Sequence, residues 1–232
     1  MFKKLVKLVI PKDALEFIQR LRKELKNFRS LAQRYGQWTS IKDWKSVDET
    51  GGPMPWYTYP ATEYLSHLNL KEFSVFEYGS GNSTLWWAKK AKSVISVEDD
   101  SIWFERIRSD ISDSSVKYLL KNGKHDYVSS AEFAADIFIV DGKHRRECAE
   151  HIMKYKDGLM IILDNSDWYP KTVDFLQECL GWVQIDFHGF GPINDYTWTT
   201  TLFINPTRHQ ELKYERHLMS KCGIAQVAAG DY

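Results

Sequence analysis

The chain has 232 residues, 43% of them hydrophobic, enough to bury one sizeable core. Lys and Arg together number 31 and so do Asp and Glu, so the formal net charge is zero and the global electrostatic argument for a nucleic-acid binder falls away. Three cysteines without C-x-x-C spacing suggest neither a disulfide framework nor a cysteine zinc site, and no apolar run reaches the length of a transmembrane segment; a soluble, cytoplasmic protein is the expectation.

Residues 12–35 read as an amphipathic helix, because Leu15, Ile18, Leu21, Leu25, Phe28 and Leu31 recur at three- and four-residue steps. From Met1 to Tyr35 there are ten Lys/Arg against three Asp/Glu, so the remainder is acidic by the same excess. One face of this helix wants a partner: its own domain, a second copy in a homo-oligomer, or an anionic membrane surface met peripherally by residues 1–35. Thr50 to Leu65, punctuated by Gly51, Gly52, Pro53, Pro55 and Pro60, reads as a linker carrying Trp56, Tyr57 and Tyr59. These aromatics, with Trp168 and Tyr169, are candidates for a pocket rim. The expected division is residues 1–60 (helix and aromatic linker), 61–206 (the main α/β domain) and 207–232 (C-terminal helix and tail).

From a short helix near Ala61 onward, strand and helix patterns alternate. Strands are expected near 73–78, 94–98, 116–120, 136–141 and 159–164, and helices near 83–92, 101–111, 144–156 and 170–180. That order predicts an α/β fold with a largely parallel sheet and helices on both faces. Trp182 to Gly189 and Tyr196 to Asn205 are also strand-like, and the turn between them is too short for a helical crossover, so they should close the sheet as an antiparallel hairpin.

Gly79-Ser80-Gly81-Asn82-Ser83-Thr84 lies between the first of these strands and the following helix. Gly79 permits a sharp turn, Gly81 removes a side chain where a ligand would approach, and Asn82, Ser83 and Thr84 place donors at a helix N-terminus. Glu98, nineteen positions after Gly79, and Asp99 end the next strand, where a carboxylate can accept ribose hydroxyls. A nicotinamide cofactor would want a third glycine where Thr84 stands, which weighs against an oxidoreductase. Glu77 supplies an acid just ahead of the loop.

The segments E-Y-G-S-G and V-E-D resemble the first two motifs of class I S-adenosylmethionine-dependent methyltransferases, whose Rossmann-like sheet also ends in a reversed hairpin. The resemblance implies S-adenosylmethionine held by Glu77, Gly79 to Thr84, Glu98 and Asp99. Asp141 and the pair Asp164-Asn165 follow two neighbouring apolar strands, an oxygen set suited to Mg²⁺ or another divalent cation, although both aspartates could equally cap the helices after them. "DNSDW" and "DGKH" resemble segments of metal-dependent O-methyltransferases and of bacterial sugar methyltransferases. That likeness implies a hydroxyl of a phenolic, sugar or other small molecule as acceptor, Asp141 and His144 as catalytic groups, and His144 as the base. A nicotinamide-dependent oxidoreductase and a non-catalytic interaction module of the same fold are the alternatives.

Overall fold

A computed structural model describes residues 11–214 and 219–224. Among these, seven strands form one sheet in the order β4-β3-β2-β5-β6-β8-β7. They are β2 (Ser74–Tyr78), β3 (Ser93–Glu98), β4 (Val116–Leu120), β5 (Ile137–Val140), β6 (Met160–Asp164), β7 (Val183–Gly189) and β8 (Trp198–Ile204). The first five are mutually parallel, and β8 runs antiparallel between β6 and β7. This is the expected α/β arrangement, a mostly parallel sheet closed by an antiparallel hairpin.

Alternation along the strands builds the two faces. Val75, Ile137, Ile139, Ile162 and Leu202 point to one cluster, with Leu65 of α3 (Tyr59–Ser66) and Trp87 of α4 (Asn82–Lys90). Phe76, Phe138, Val140, Ile161 and Phe203 point to the other, where Cys148 and Ile152 of α7 (Arg145–Ile152) and Leu176 of α8 (Pro170–Leu180) cover them. The central strands β5 and β6 are buried along their whole length, which is why they read as unbroken apolar runs. α5 (Ser101–Arg108) and α6 (Lys124–Val128) complete the crossovers.

Two regions differ from expectation. The stretch read as a linker is packed onto the sheet: Tyr57 is fully buried with its hydroxyl accepting from Trp87 Nε1 at 3.3 Å, and the Thr58 amide donates to Thr200 Oγ1 at 3.0 Å. The polar helix expected after Thr207 is absent among the described residues. A single tight turn, His209–Glu211, leads instead into β9 (Lys213–Tyr214), which pairs antiparallel with β1 (Leu68–Asn69) and sets Tyr214 against Tyr64, hydroxyl to hydroxyl at 2.7 Å. Cross-strand pairing and an aromatic contact outweigh the weak local helical preference of a polar segment. Positions 215–218 and 225–232 of that expected helix, and 1–10 of the expected N-terminal helix, lie outside the described residues.

The N-terminal helix α1 (Lys12–Arg29) continues through a π-helical turn, Ser30–Arg34, to α2 (Gln37–Asp43). No residue of α1 is buried. Among the described residues no helix is long and apolar enough to cross a membrane.

Candidate functional site

Strand order reverses between β2 and β5, so a crevice opens at their carboxyl ends, the place where open α/β sheets bind ligands. Three glycines shape it. Gly79 has φ +98°, and a Cβ there would lie 3.0 Å from the Gly142 nitrogen; a Cβ on Gly142 would overlap the Tyr127 hydroxyl. The two chain turns pass back to back with no room for a side chain on either. Gly142 was not singled out by the sequence, although its position one residue after Asp141 is the same turn repeated on the neighbouring strand. A Cβ on Gly81 would meet only the Trp103 ring, at 3.7 Å, so this glycine leaves the loop open to the space above it.

That space holds two neighbouring lobes whose linings share Ser80, Trp103 and Asp141. The smaller, about 360 Å³, lies among Gly79, Glu98, Asp99, Gly142 and Lys143. The larger, about 500 Å³, runs over Gly81, Asn82 and Ser83 to Asp141, Asp164 and Asn165, under a rim of Trp44, Trp56, Trp168 and Tyr196. Of the aromatics singled out as rim candidates, Trp56 and Trp168 line it; Tyr57 and Tyr59 are buried below, and Tyr169 lies against the Arg145 guanidinium at 4.8 Å. Trp44 and Tyr196 were missed.

The loop residues divide by where their polar atoms go. The Ser80 hydroxyl donates to Glu98 Oε2 at 2.5 Å, and Glu98 Oε1 accepts from the amides of Asp99 and Asp100 at 3.0 and 3.1 Å. Burial raises the Glu98 carboxyl pKa despite these donors. Asp99 pairs with Lys143 at 3.1 Å across the small lobe. Asn82 donates its side-chain amide to the Ser46 carbonyl, tying the start of α4 to the pocket rim. Thr84 turns inward, its hydroxyl donating to Glu77 Oε2 at 2.6 Å, so this side chain anchors the helix rather than facing the pocket. Glu77 is likewise fully buried; Oε1 has no hydrogen-bond partner among the described residues, and burial pushes its pKa up to about 7.

The second constellation departs further from expectation. Asp141, Asp164 and Asn165 do come together on the wall of the large lobe. His144 does not line either lobe: with φ +54° it precedes the first turn of α7, its ring facing Tyr127 at 6.5 Å between centroids. The left-handed residue swings the chain so that Arg145 enters instead. Arg145 is buried, donates from Nη2 to Asp141 Oδ1 at 3.1 Å and to the Asp141 carbonyl at 3.0 Å, from Nε to the Gly142 carbonyl at 3.0 Å, and from Nη1 to the Asp164 carbonyl. Asp164 Oδ1 accepts from Trp198 Nε1 at 3.1 Å and from the Thr200 hydroxyl at 2.5 Å. Both carboxyls are pushed upward in pKa, by burial first; Asp141 is pulled back by Arg145, and Asp164 is raised further by the Asp141 charge.

These partners test the divalent-cation expectation, and the donor set does not fit it. The Asp141 carboxylate already faces a fixed guanidinium, Asp164 Oδ1 is occupied by two protein donors, and among the described residues no group of three or more His, Cys, Asp or Glu is placed to hold an ion. A hard cation here would stand beside the positive charge of Arg145, with like charges repelling at short range.

No protein-family model matches the chain, and no curated protein does. Among solved structures the chain is similar to a methyltransferase from Pyrococcus furiosus, with 19% identity over 64% of this chain and 83% of that one at a TM-score of 0.43. It is also similar to a methyltransferase-like protein from Silicibacter pomeroyi (18%, 68% and 94%, TM-score 0.43) and to an rRNA methylase from Streptococcus thermophilus (15%, 62% and 96%, TM-score 0.44).

Proposed function

We propose that the chain is an S-adenosylmethionine-dependent methyltransferase acting on a hydroxyl of a phenolic, sugar or other small molecule. One observation carries this reading. At the switch-point crevice the described residues hold three buried acids, Glu77, Glu98 and Asp164, with half-buried Asp141 beside them, against a single buried base, Arg145. Burial first, and the neighbouring acids after it, raise the pKa values of these carboxyls. A ligand that brings its own positive charge offsets it, and S-adenosylmethionine, carrying an ammonium and a sulfonium, supplies an already activated methyl group when bound.

The chain's own residues then have distinct tasks. Gly81 leaves space over the loop, and Glu98, held by two backbone amides, presents a carboxylate at the end of β3 for ribose hydroxyls. Asp141 lines both lobes, which supports it as the group that accepts the proton of an acceptor hydroxyl in the large lobe. A carboxyl whose proton affinity is raised by burial is better matched to that task near neutral pH than an ordinary aspartate. Arg145 fixes the Asp141 side chain and keeps it from leaving the wall. The aromatic rim offers faces for a phenol or for the C–H face of a sugar.

The test is calorimetric titration with S-adenosylmethionine and, in parallel, NADH, followed by measurement of S-adenosylhomocysteine release with a panel of phenols, glycosides and RNA. Binding of the first and not of NADH, with turnover on a phenol or glycoside, is the expected result. Binding of NADH alone would return the site to an oxidoreductase, turnover only on RNA would overturn the acceptor class, and binding without turnover on any acceptor would favour an interaction module.

A further inference from the structure

Helix α1 is 18 residues long, about 27 Å, and buries none of them. An isolated helix of that length is marginal in water, and most helical stability in proteins comes from packing an apolar face. Here the face exists and is uncovered: Phe17, Leu25 and Phe28 are 65%, 57% and 59% exposed, and Leu21 is exposed between them. The stripe continues onto α2, where Phe28 and Trp38 line one shallow groove and Trp38 is 64% exposed.

Charge identifies the partner. Lys12, Arg20, Arg22, Lys23, Lys26 and Arg29 outnumber Asp13, Glu16 and Glu24 on α1. The stretch from Met1 to Tyr35 carries ten basic and three acidic residues, while the other 197 carry 21 and 28. We propose that α1, together with the Trp38 end of α2, docks on the surface of an anionic lipid bilayer. Its apolar stripe and Trp38 enter the interfacial layer, and the flanking Lys and Arg meet lipid phosphates. A second copy of the chain fits the same face less well. The apolar seam from Leu15 to Leu31 is still shorter than the three to four heptads that sustain a coiled coil, and two helices of the same net positive charge repel.

The experiment is co-sedimentation of the full chain with vesicles of phosphatidylcholine alone or mixed with phosphatidylglycerol, at low and at physiological salt, alongside light scattering of the free protein. Sedimentation with the anionic vesicles only, weakened by salt, is expected. The pair Leu21→Glu and Leu25→Glu, both at exposed positions, should reduce partitioning by about tenfold or more, and Lys26→Ala by about fivefold, the worth of one basic residue near such a surface. Equal binding to both vesicles, or none, overturns the proposal. So does a stable dimer that the Leu→Glu pair dissociates, which would make this face a contact between copies. Cofactor titration of the same variants separates the two readings, because neither substitution touches the pocket.

Discussion

The carboxyl edge of the sheet and helix α1 divide a neutral chain into opposites. At the edge, acids are buried around the crevice and an arginine is fixed among them by four hydrogen bonds to Asp141, Gly142 and Asp164. On α1, bases stand in solvent beside an apolar stripe of exposed Phe17, Leu21, Leu25 and Phe28. The first region has many constraints and little freedom; the second has the reverse. A zero net charge therefore says nothing about either, because the charge is separated in space rather than lacking.

The sharpest way to break the contrast is to remove charge where it is most confined. Asp141→Asn should lower turnover by about 10²–10⁴-fold, a larger loss than any weakening of S-adenosylmethionine binding, read from S-adenosylhomocysteine release and calorimetry. Turnover within a few-fold of wild type would move the base elsewhere. Arg145→Met should cost about 3–5 kcal/mol in denaturant unfolding, because the half-buried Asp141 carboxylate and three carbonyls lose their donor. Adding Asp141→Asn to it should restore part of that loss, and a purely additive double variant would contradict the pairing. By contrast, Lys26→Ala on α1 removes an exposed charge and should leave stability within about 0.5 kcal/mol.

Smaller effects sharpen the picture at the rim of the crevice. Glu98→Ala should weaken S-adenosylmethionine binding by about 1–3 kcal/mol with the fold retained, and unchanged calorimetric affinity would remove Glu98 from the site. The pH dependence is subtler. Glu77 has its folded pKa raised from the ordinary 4.5 to about 7, so the native state binds the extra proton. Its contribution to stability is full below pH 4.5 and is lost as pH rises toward 7. Melting temperature without ligand should fall across that window, and Glu77→Gln should flatten the fall. A cationic cofactor favours the ionised acids, so its binding near pH 7 should release protons and strengthen with pH. Identical binding heats in buffers of different ionisation enthalpy would deny the coupling.

Much of the architecture was legible because it rests on local pattern. The apolar runs Ile137 to Val140 and Met160 to Leu163, the glycine turn after Tyr78 and the hairpin of Trp182 to Asn205 all specify themselves within a few residues. Strand ends likewise brought Asp141, Asp164 and Asn165 to one wall. What the sequence could not decide was direction. In Lys143-His144-Arg145 the side chain that enters the crevice is chosen by one left-handed backbone turn at His144, and a histidine drew attention that its neighbour deserved. Trp44 and Tyr196 reach the rim from segments far apart in the chain, so only the unusual number of aromatics hinted at them. Tyr214 was misread for a similar reason, since its partner strand lies almost 150 residues earlier.

Helix α2 joins two surfaces described separately above. Trp38, near its start, lines the groove beside Phe28, and Trp44, which caps its end, stands on the rim of the large lobe. Six residues of helix separate them by about 9 Å along the axis. Were α1 to lie on a bilayer, Trp38 in the interfacial layer would hold the Trp44 rim of the pocket near it. An acceptor anchored in the same leaflet is then met by lateral diffusion in two dimensions, and the rate follows its mole fraction in the lipid rather than its concentration in the bulk.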